Sequence, residues 1–350
     1  MRRSNKLKMI KTSNSKELSS AFIIPYHTNG YDDQHGGKKL VIADTIEGLF
    51  LQTDEDWSAI IVVDMHLSKE SHDYLMKLKQ NYYPKIDIIF LERNVGPGVS
   101  RNVGILAALE RNHSIILFND SDDISHPKRL EVVKKIFLEQ PQIDVVYSTF
   151  EVIDENNRLT PAEKISSPIL EILESHMQNP LEGNNIWIKM GTETGITNIT
   201  SSTAVRTKFA YQCPFPDEKA SEDFHSWMRM SAFGANFKYT SSIPTKYRIP
   251  SFMKYQASRT RIGQSNFNQI KARVDTDGFS KAIEIALARD ILKPEEIPTI
   301  KAKFYKRLAQ SMKREMENEL ADELLNKAAQ LEYEGFIYCC NSARPIVEKI

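Results

Sequence analysis

Apolar residues along the chain form short unbroken runs that alternate with longer stretches of helical spacing. Ala21-Phe22-Ile23-Ile24-Pro25-Tyr26 is apolar at almost every position, as a strand buried on both faces requires, and proline stops it. Residues 40–52 carry Ile42, Ile46, Leu49 and Phe50 at helical intervals. Residues 59–64 form a second β-rich run ending in an acid, 71–80 read as helix, and 86–91 as a third strand. Asn94-Val95-Gly96-Pro97-Gly98 turns into a helix over about 99–110, and Ile115-Ile116-Leu117-Phe118 gives a fourth strand. A helix over 132–138 and strands over 144–150 and 199–205 follow. Between the last two, residues 151–196 are polar, with Pro161, Pro168 and Pro180, and fit either loops that line a binding site or plain surface irregularity. Such alternation predicts an α/β fold: a mostly parallel sheet with right-handed crossovers, flanked by helices.

The fourth strand ends in three carboxylates within four positions, Asp120, Asp122 and Asp123. Asp120 and Asp122 sit two apart, so in extended chain they point the same way, at the strand end where open α/β sheets bind ligands. Adjacent carboxylates repel unless a cation sits between them, and hard oxygens suit Mg²⁺ or Mn²⁺. A solvated acidic turn that caps the next helix fits this stretch equally well. That helix is expected to start at Pro127, capped by Ser125 or His126. An EF-hand is a poor fit, because the sixth position counted from Asp120 is Ser125, not glycine. Pro25-Tyr26, Asp64 and Arg101-Asn102 would line the same sheet edge. An acid there can accept a base imide or ribose hydroxyl, a tyrosine can stack on a base, and an arginine can hold an anion. Each also has an ordinary structural use, as helix cap or core packing.

Ser221-Glu222-Asp223 opens a helix in which Ser221 can cap and two acids occupy the first turn. The positive helix end favours an ionised Asp223. Capping alone would explain both acids, and His225 reads as packing or as facing an acceptor. Lys246-Tyr247-Arg248 follows a turn at Ser242-Ile243-Pro244, and Arg248 is a candidate to meet a diphosphate. Residues 252–277 are polar and rich in Lys and Arg, as a flexible loop over an anion-binding site would be. Helices are expected over 281–292 and 295–334. In the second, Ile300, Phe304, Leu308, Met312, Met316, Leu320, Leu324 and Ala328 recur every fourth position, overshooting the helical turn by roughly 40° per step. The row must spiral, which predicts a break or burial on more than one face, against the main domain or against a second copy.

Composition narrows the field. Lys plus Arg equals Asp plus Glu at 46 each, so no bulk charge argues for general nucleic-acid binding. Three cysteines, Cys213, Cys339 and Cys340, make neither a disulfide framework nor a zinc site, and a reducing cytoplasm is the default expectation. Residues 1–19 read as a basic tail able to touch anionic lipid, without the apolar core of a signal peptide. Gly96-Pro97-Gly98 is not a dinucleotide fingerprint, and there is no P-loop and no Gly-x-Ser-x-Gly elbow.

Four motifs in order carry a resemblance. Ile24-Pro25-Tyr26-His27-Thr28-Asn29, Val62-Val63-Asp64, Asn94-Val95-Gly96 with Ser100-Arg101-Asn102-Val103-Gly104, and Asp120 to Asp123 with Pro127 are similar to those of family 2 glycosyltransferases. Residues 20–250 resemble that family, and Glu222-Asp223 its Glu-Asp segment. The resemblance implies a GT-A domain over 20–250, with a loop and C-terminal helical appendage over 251–350. It implies inverting transfer of a sugar from a nucleoside-diphosphate sugar, UDP-sugar favoured, to an acceptor hydroxyl of a glycan, lipid, peptide or small molecule. Asp223 would be the general base, Pro25, Tyr26, Asp64, Arg101, Asp120 and Arg248 the donor contacts, and Asp120 and Asp122 the Mn²⁺ or Mg²⁺ ligands. Met65, where a second acid is usual, leaves the base contact to Asp64. The rival readings are a non-catalytic nucleotide-sugar binder of the same fold and a sugar nucleotidyltransferase. The latter carries a glycine-rich loop after the first strand, where this chain has Pro25-Tyr26.

Overall fold

The computed structural model describes residues 18–27, 40–65, 67–250 and 262–342. The basic tail up to residue 17, the 28–39 loop and residues 251–261 lie outside them.

The apolar runs form strands β1 (Ser20–Tyr26), β2 (Ser58–Val63), β3 (Ile86–Phe90), β4 (Ile115–Phe118), β5 (Val145–Ile153), β6 (Thr203–Arg206) and β7 (Phe237–Arg248). They make one sheet in the order β3-β2-β1-β4-β6-β5-β7. β6 alone runs against its neighbours β4 and β5, and the other pairings are parallel. Both faces are covered, which is why the runs read as continuously apolar. Ala21, Ile23, Ile60, Val62, Ile116 and Phe118 face one core, and Phe22, Ile24, Ile61, Val63, Ile115 and Leu117 the other.

The crossovers are helices α1 (Val41–Phe50), α2 (Lys69–Tyr82), α3 (Gly96–Glu110) and α4 (Arg129–Glu139). α4 begins two residues beyond Pro127, because the Ser125 hydroxyl is spent on Asn119 rather than on a cap. α3 lies unusually close to the sheet. A Cβ on Gly104 would stand 2.5 Å from Ile23 Cγ2, so glycine permits the approach that brings Arg101, one turn earlier, to the sheet's carboxyl edge.

Three expectations need correction. The irregular 151–196 segment contains α5 (Ser167–Gln178), whose Pro168 sits in the first turn, where a missing N–H costs nothing. After α6 (Thr207–Gln212) and α7 (Glu222–Ala232), Ser242-Ile243-Pro244 is no turn. It lies inside β7, where three extra residues bulge between the pairs Thr240–Ser148 and Thr245–Phe150. Most of the supposed 252–277 loop is the first half of α8 (Gln264–Ala288).

α9 (Ile297–Arg314) and α10 (Asn318–Ser342) resolve the spiralling row. It breaks at Met316, which has φ 64° and is 80% exposed. Phe304, Leu308, Met312, Leu324 and Ala328 are buried. Phe304 stacks on Phe279 of α8 at 4.3 Å between centroids, and Phe279 packs on Trp187. The C-terminal helices therefore share one apolar core with the sheet. α8 crosses α7 at Gly278, where a Cβ would lie 2.9 Å from the His225 Cα and 2.8 Å from its ring. Backbone cannot yield there as a side chain can, so Gly278→Ala is expected to destabilise the fold by about 1–3 kcal/mol, measurable by denaturant titration.

Candidate active site

β4 runs out into a loop whose backbone is held from below. The fully buried Arg129 donates to the carbonyls of Phe118 and Thr203, to Ser125 Oγ and to Asn119 Oδ1. Burial lowers its pKa to about 9, against the pull of Asp123 and Asp120. Asn119 Nδ2 donates to the carbonyls of Asp120 and Asp123, and the Thr45 hydroxyl donates to those of Ser121 and Asp123. The three acids then divide. Asp123 points inward with no exposure, and burial, followed by the charges of Asp122 and Asp120, raises its pKa well above the ordinary value. Asp120 and Asp122 stay partly exposed at the sheet edge.

Arg248 braces this loop. Its N–H donates to Asp123 Oδ1 at 2.8 Å and its Nε to the Asp122 carbonyl at 2.7 Å. Its other nitrogens reach the Asp154 carbonyl and Asp44 Oδ2, and the residue is 4% exposed. It was expected to meet a diphosphate; instead each of its side-chain nitrogens donates to the protein, and the side chain is 1% exposed, so it is packed under the loop rather than presented at an open edge.

Asp64 and Tyr26 are likewise engaged. The Asp64 carboxylate accepts from the N–H groups of Val95 and Gly96 at 2.6 and 2.8 Å, fixing the turn that starts α3. Tyr26 was expected to offer its ring to a base. The ring instead lies in the core, 2% exposed, with its hydroxyl donating to Ser71 Oγ, because the strand's alternation turns it to the α2 side of the sheet. Pro25, next to it, is also buried.

Arg101 joins the two acidic stretches. Its Nη2 donates to Asp120 Oδ1 at 2.6 Å and its Nη1 to Glu222 Oε1 at 2.8 Å, with only 3% of the residue exposed. Burial alone would lower its pKa, but the two carboxylates outweigh it and hold the guanidinium above its ordinary value. Asn102, beside it, clamps the 213–220 loop by exchanging two hydrogen bonds with the Phe215 backbone.

Asp223 follows Glu222 in the first turn of α7. Burial, then the Glu222 charge, push its pKa up to about 7, against the Phe224 N–H, Arg101 and Lys271, which pull it down. The favourable helix end is thus outweighed, and the group stands half-ionised near neutrality. Ser221 does not cap with its side chain. It adopts φ 62°, in the left-handed region, and its hydroxyl donates to Asp275 Oδ1 at 2.6 Å. His225 turns away: Nδ1 accepts from Arg229 Nε, so Nε2 donates to Asp277 Oδ2 at 2.8 Å. Burial and Arg229 lower its pKa to about 4, leaving a neutral ring locked against α8.

The sequence pattern described as glycosyl transferase family 2 matches residues 23–205, just over half of the chain. The chain belongs to this family.

An uncharacterized glycosyltransferase of Methanocaldococcus jannaschii is 29% identical over 217 residues, covering 61% of this chain and 68% of that protein. One of Haemophilus influenzae is 32% identical over 110 residues, but that stretch covers only 34% of the relative's own length. Among solved structures, S. aureus TarS in complex with UDP-GlcNAc aligns with a TM-score of 0.52 at 14% identity, over 89% of this chain and 92% of that one. The fold is of the GT-A type.

In this glycosyltransferase Asp120 and Asp122 are two partly exposed carboxylates at the end of β4, and carboxylate oxygens are hard donors. Among the described residues no three His, Cys, Asp or Glu side chains converge on one point. Two carboxylates completed by substrate phosphates are what Mg²⁺ commonly takes, so the residues fit such an ion. No helix among the described residues is long and apolar enough to cross a membrane.

The expected motifs did not include what α8 contributes to this family 2 site. Asp275 is fully buried, accepting from Ser221 and from Lys271 Nζ at 2.6 Å. Asp277 holds His225 and Lys281. The spacings of four, Lys271–Asp275 and Asp277–Lys281, are a helical signal present in the sequence. Tyr247 of β7 was also missed as a site residue: burial, then Asp123, Asp120, Asp122 and Asp223, raise its pKa, so its phenol lies in the field of both acidic stretches.

Proposed function

We propose that this chain is a metal-dependent, inverting glycosyltransferase that moves a sugar from a nucleoside-diphosphate sugar to an acceptor hydroxyl, with Asp223 as general base. The observation that carries this reading is the Arg101 bridge. It fixes the sheet-edge acid Asp120 and the α7 acid Glu222 on one guanidinium, and Asp223, the next residue of α7, would then stand beside the donor edge. The donor would seat over the strand ends at Pro25, Asp64 and Asp120. Tyr26 and Arg248 act by holding those ends, not by touching the nucleotide.

Asp120 and Asp122 would hold Mg²⁺ or Mn²⁺, which when bound supplies positive charge opposite the departing diphosphate. Asp223 accepts the acceptor hydroxyl's proton as that oxygen bonds to the anomeric carbon. The bond from that carbon to the diphosphate oxygen breaks on the opposite face, so configuration inverts. A pKa near 7 suits this work, since a base must be ionised at working pH and yet hold a proton well.

A panel of nucleotide-sugars assayed for slow hydrolysis tests the reading without a known acceptor. UDP-sugars head it, because TarS was solved with UDP-GlcNAc. Hydrolysis of none, with tight binding of one, would favour the non-catalytic binder. Asp122→Asn is expected to weaken nucleoside-diphosphate affinity by at least tenfold in Mn²⁺ and to leave the weak affinity in chelator unchanged. Calorimetric titration measures both, and equal wild-type affinity with and without metal would remove the ion from the scheme.

A further inference from the structure

The family pattern ends at residue 205, whereas Ser221, Tyr247 and Lys271, which stand around Asp223 together with Arg101, come from farther along the chain. Ser221, at the head of α7, is held in a backbone conformation that residues other than glycine seldom adopt. What holds it is Asp275, a carboxylate with no exposure, brought from α8, 54 residues away in sequence. The same carboxylate accepts from Lys271 Nζ at 2.6 Å. Lys271 in turn places its ammonium 5.5 Å from the ring centroid of Phe224, the residue after Asp223, with 17% of its side chain exposed. A buried carboxylate that binds one hydroxyl and one ammonium is a tether: it fixes the turn that presents Asp223 and the cation beside it.

We propose that Lys271 and Asp275 are positioning residues of the transfer reaction, Asp275 fixing Ser221 and Lys271 standing as the cation that keeps Asp223 available as a carboxylate. The inference rests on Asp223 being the base. Charged and titratable groups reach Asp223 from every side. Glu222 on its own helix opposes ionisation, Arg101 of α3 and Lys271 of α8 favour it, and Tyr247 of β7 faces it as a neutral phenol. The single positive charge of Arg101 is already shared between Asp120 and Glu222, so Lys271 is the cation whose charge is least committed to the donor edge. Without it, burial and the Glu222 charge would press a proton onto Asp223 with only Arg101 and the Phe224 N–H to oppose them.

The test compares wild type, Lys271→Gln and Lys271→Arg, following hydrolysis of the donor identified by the panel from pH 5.5 to 9. In parallel, the Asp223 carboxyl carbon is titrated by NMR, assigned by its loss in Asp223→Asn. Lys271→Gln is expected to move both midpoints upward by on the order of one unit, lowering turnover about tenfold at pH 6 and hardly at pH 9. Lys271→Arg should restore the wild-type midpoint. A merely structural lysine would lower turnover evenly at all pH values and leave both midpoints in place, and that result overturns the proposal. If Asp223→Asn keeps wild-type hydrolysis, the base assignment itself has failed. A shifted Asp223 resonance in Lys271→Gln would still report the electrostatic contact in that case, so the two failures are distinguishable.

Discussion

Asp223→Asn is expected to lower sugar transfer by ~10²–10⁴, the usual loss on removing a general base. Donor affinity should stay within about twofold, because asparagine keeps the shape and no diphosphate contact is removed. The pH profile gives a second signature. Wild-type turnover should fall about tenfold per unit as pH drops below about 7 and level off above it, since protonation there removes the base. In the asparagine variant that acid limb disappears. Stability should move the other way. The folded-state pKa of about 7 lies above the ordinary 3.8, so the native chain binds the extra proton and loses stability as pH rises between those values. Asp223→Asn removes the loss and should melt no lower than wild type at pH 8. A variant that keeps near-normal transfer would move attention to Glu222. His225 is a poor substitute, because both ring nitrogens are engaged.

Cutting the chain after Ser251 is the second large effect. It strips Phe279, Ala282, Ile283, Phe304, Leu308 and Met312 from the core that they share with Trp187, Met190 and Phe224. At roughly 1.5–3 kcal/mol for each large buried side chain, the loss rivals the entire stability of an ordinary domain, about 5–15 kcal/mol. The shortened protein should be insoluble or lack a cooperative melt. A soluble fragment melting at the full chain's temperature would make the C-terminal helices an independent module.

The sheet was legible because β1, β2 and β4 at its centre are buried on both faces, which leaves an unbroken apolar signature in the sequence. The edge chemistry was legible for the same reason: each polar residue at the end of such a run stands out. What the one-dimensional pattern lacks is the direction of each side chain. Asp120 and Asp123 look alike in the sequence, yet one faces outward and the other supports the backbone of Arg248. Tyr26 ends an apolar run like the other edge residues, yet its ring is buried in the core on the α2 side of the sheet. The charged first half of α8 resembled a loop because its carboxylates are satisfied by α7, a partner more than forty residues earlier. Pro168 resembled a breaker because its tolerance depends on standing in a first turn.

The Arg101 bridge has one more consequence. The guanidinium divides its donors between Asp120, where the nucleotide is proposed to sit, and Glu222, beside the proposed base, so on that reading the two substrates share a thermodynamic cycle. Any ligand that draws Asp120 Oδ1 away from Nη2 changes how firmly Glu222 is held, and the effect must return unchanged in size when the acceptor binds first. Donor and acceptor should therefore bind non-independently and by one common factor. Arg101→Lys, which cannot hold two carboxylates in one planar fork, should bring that factor toward unity.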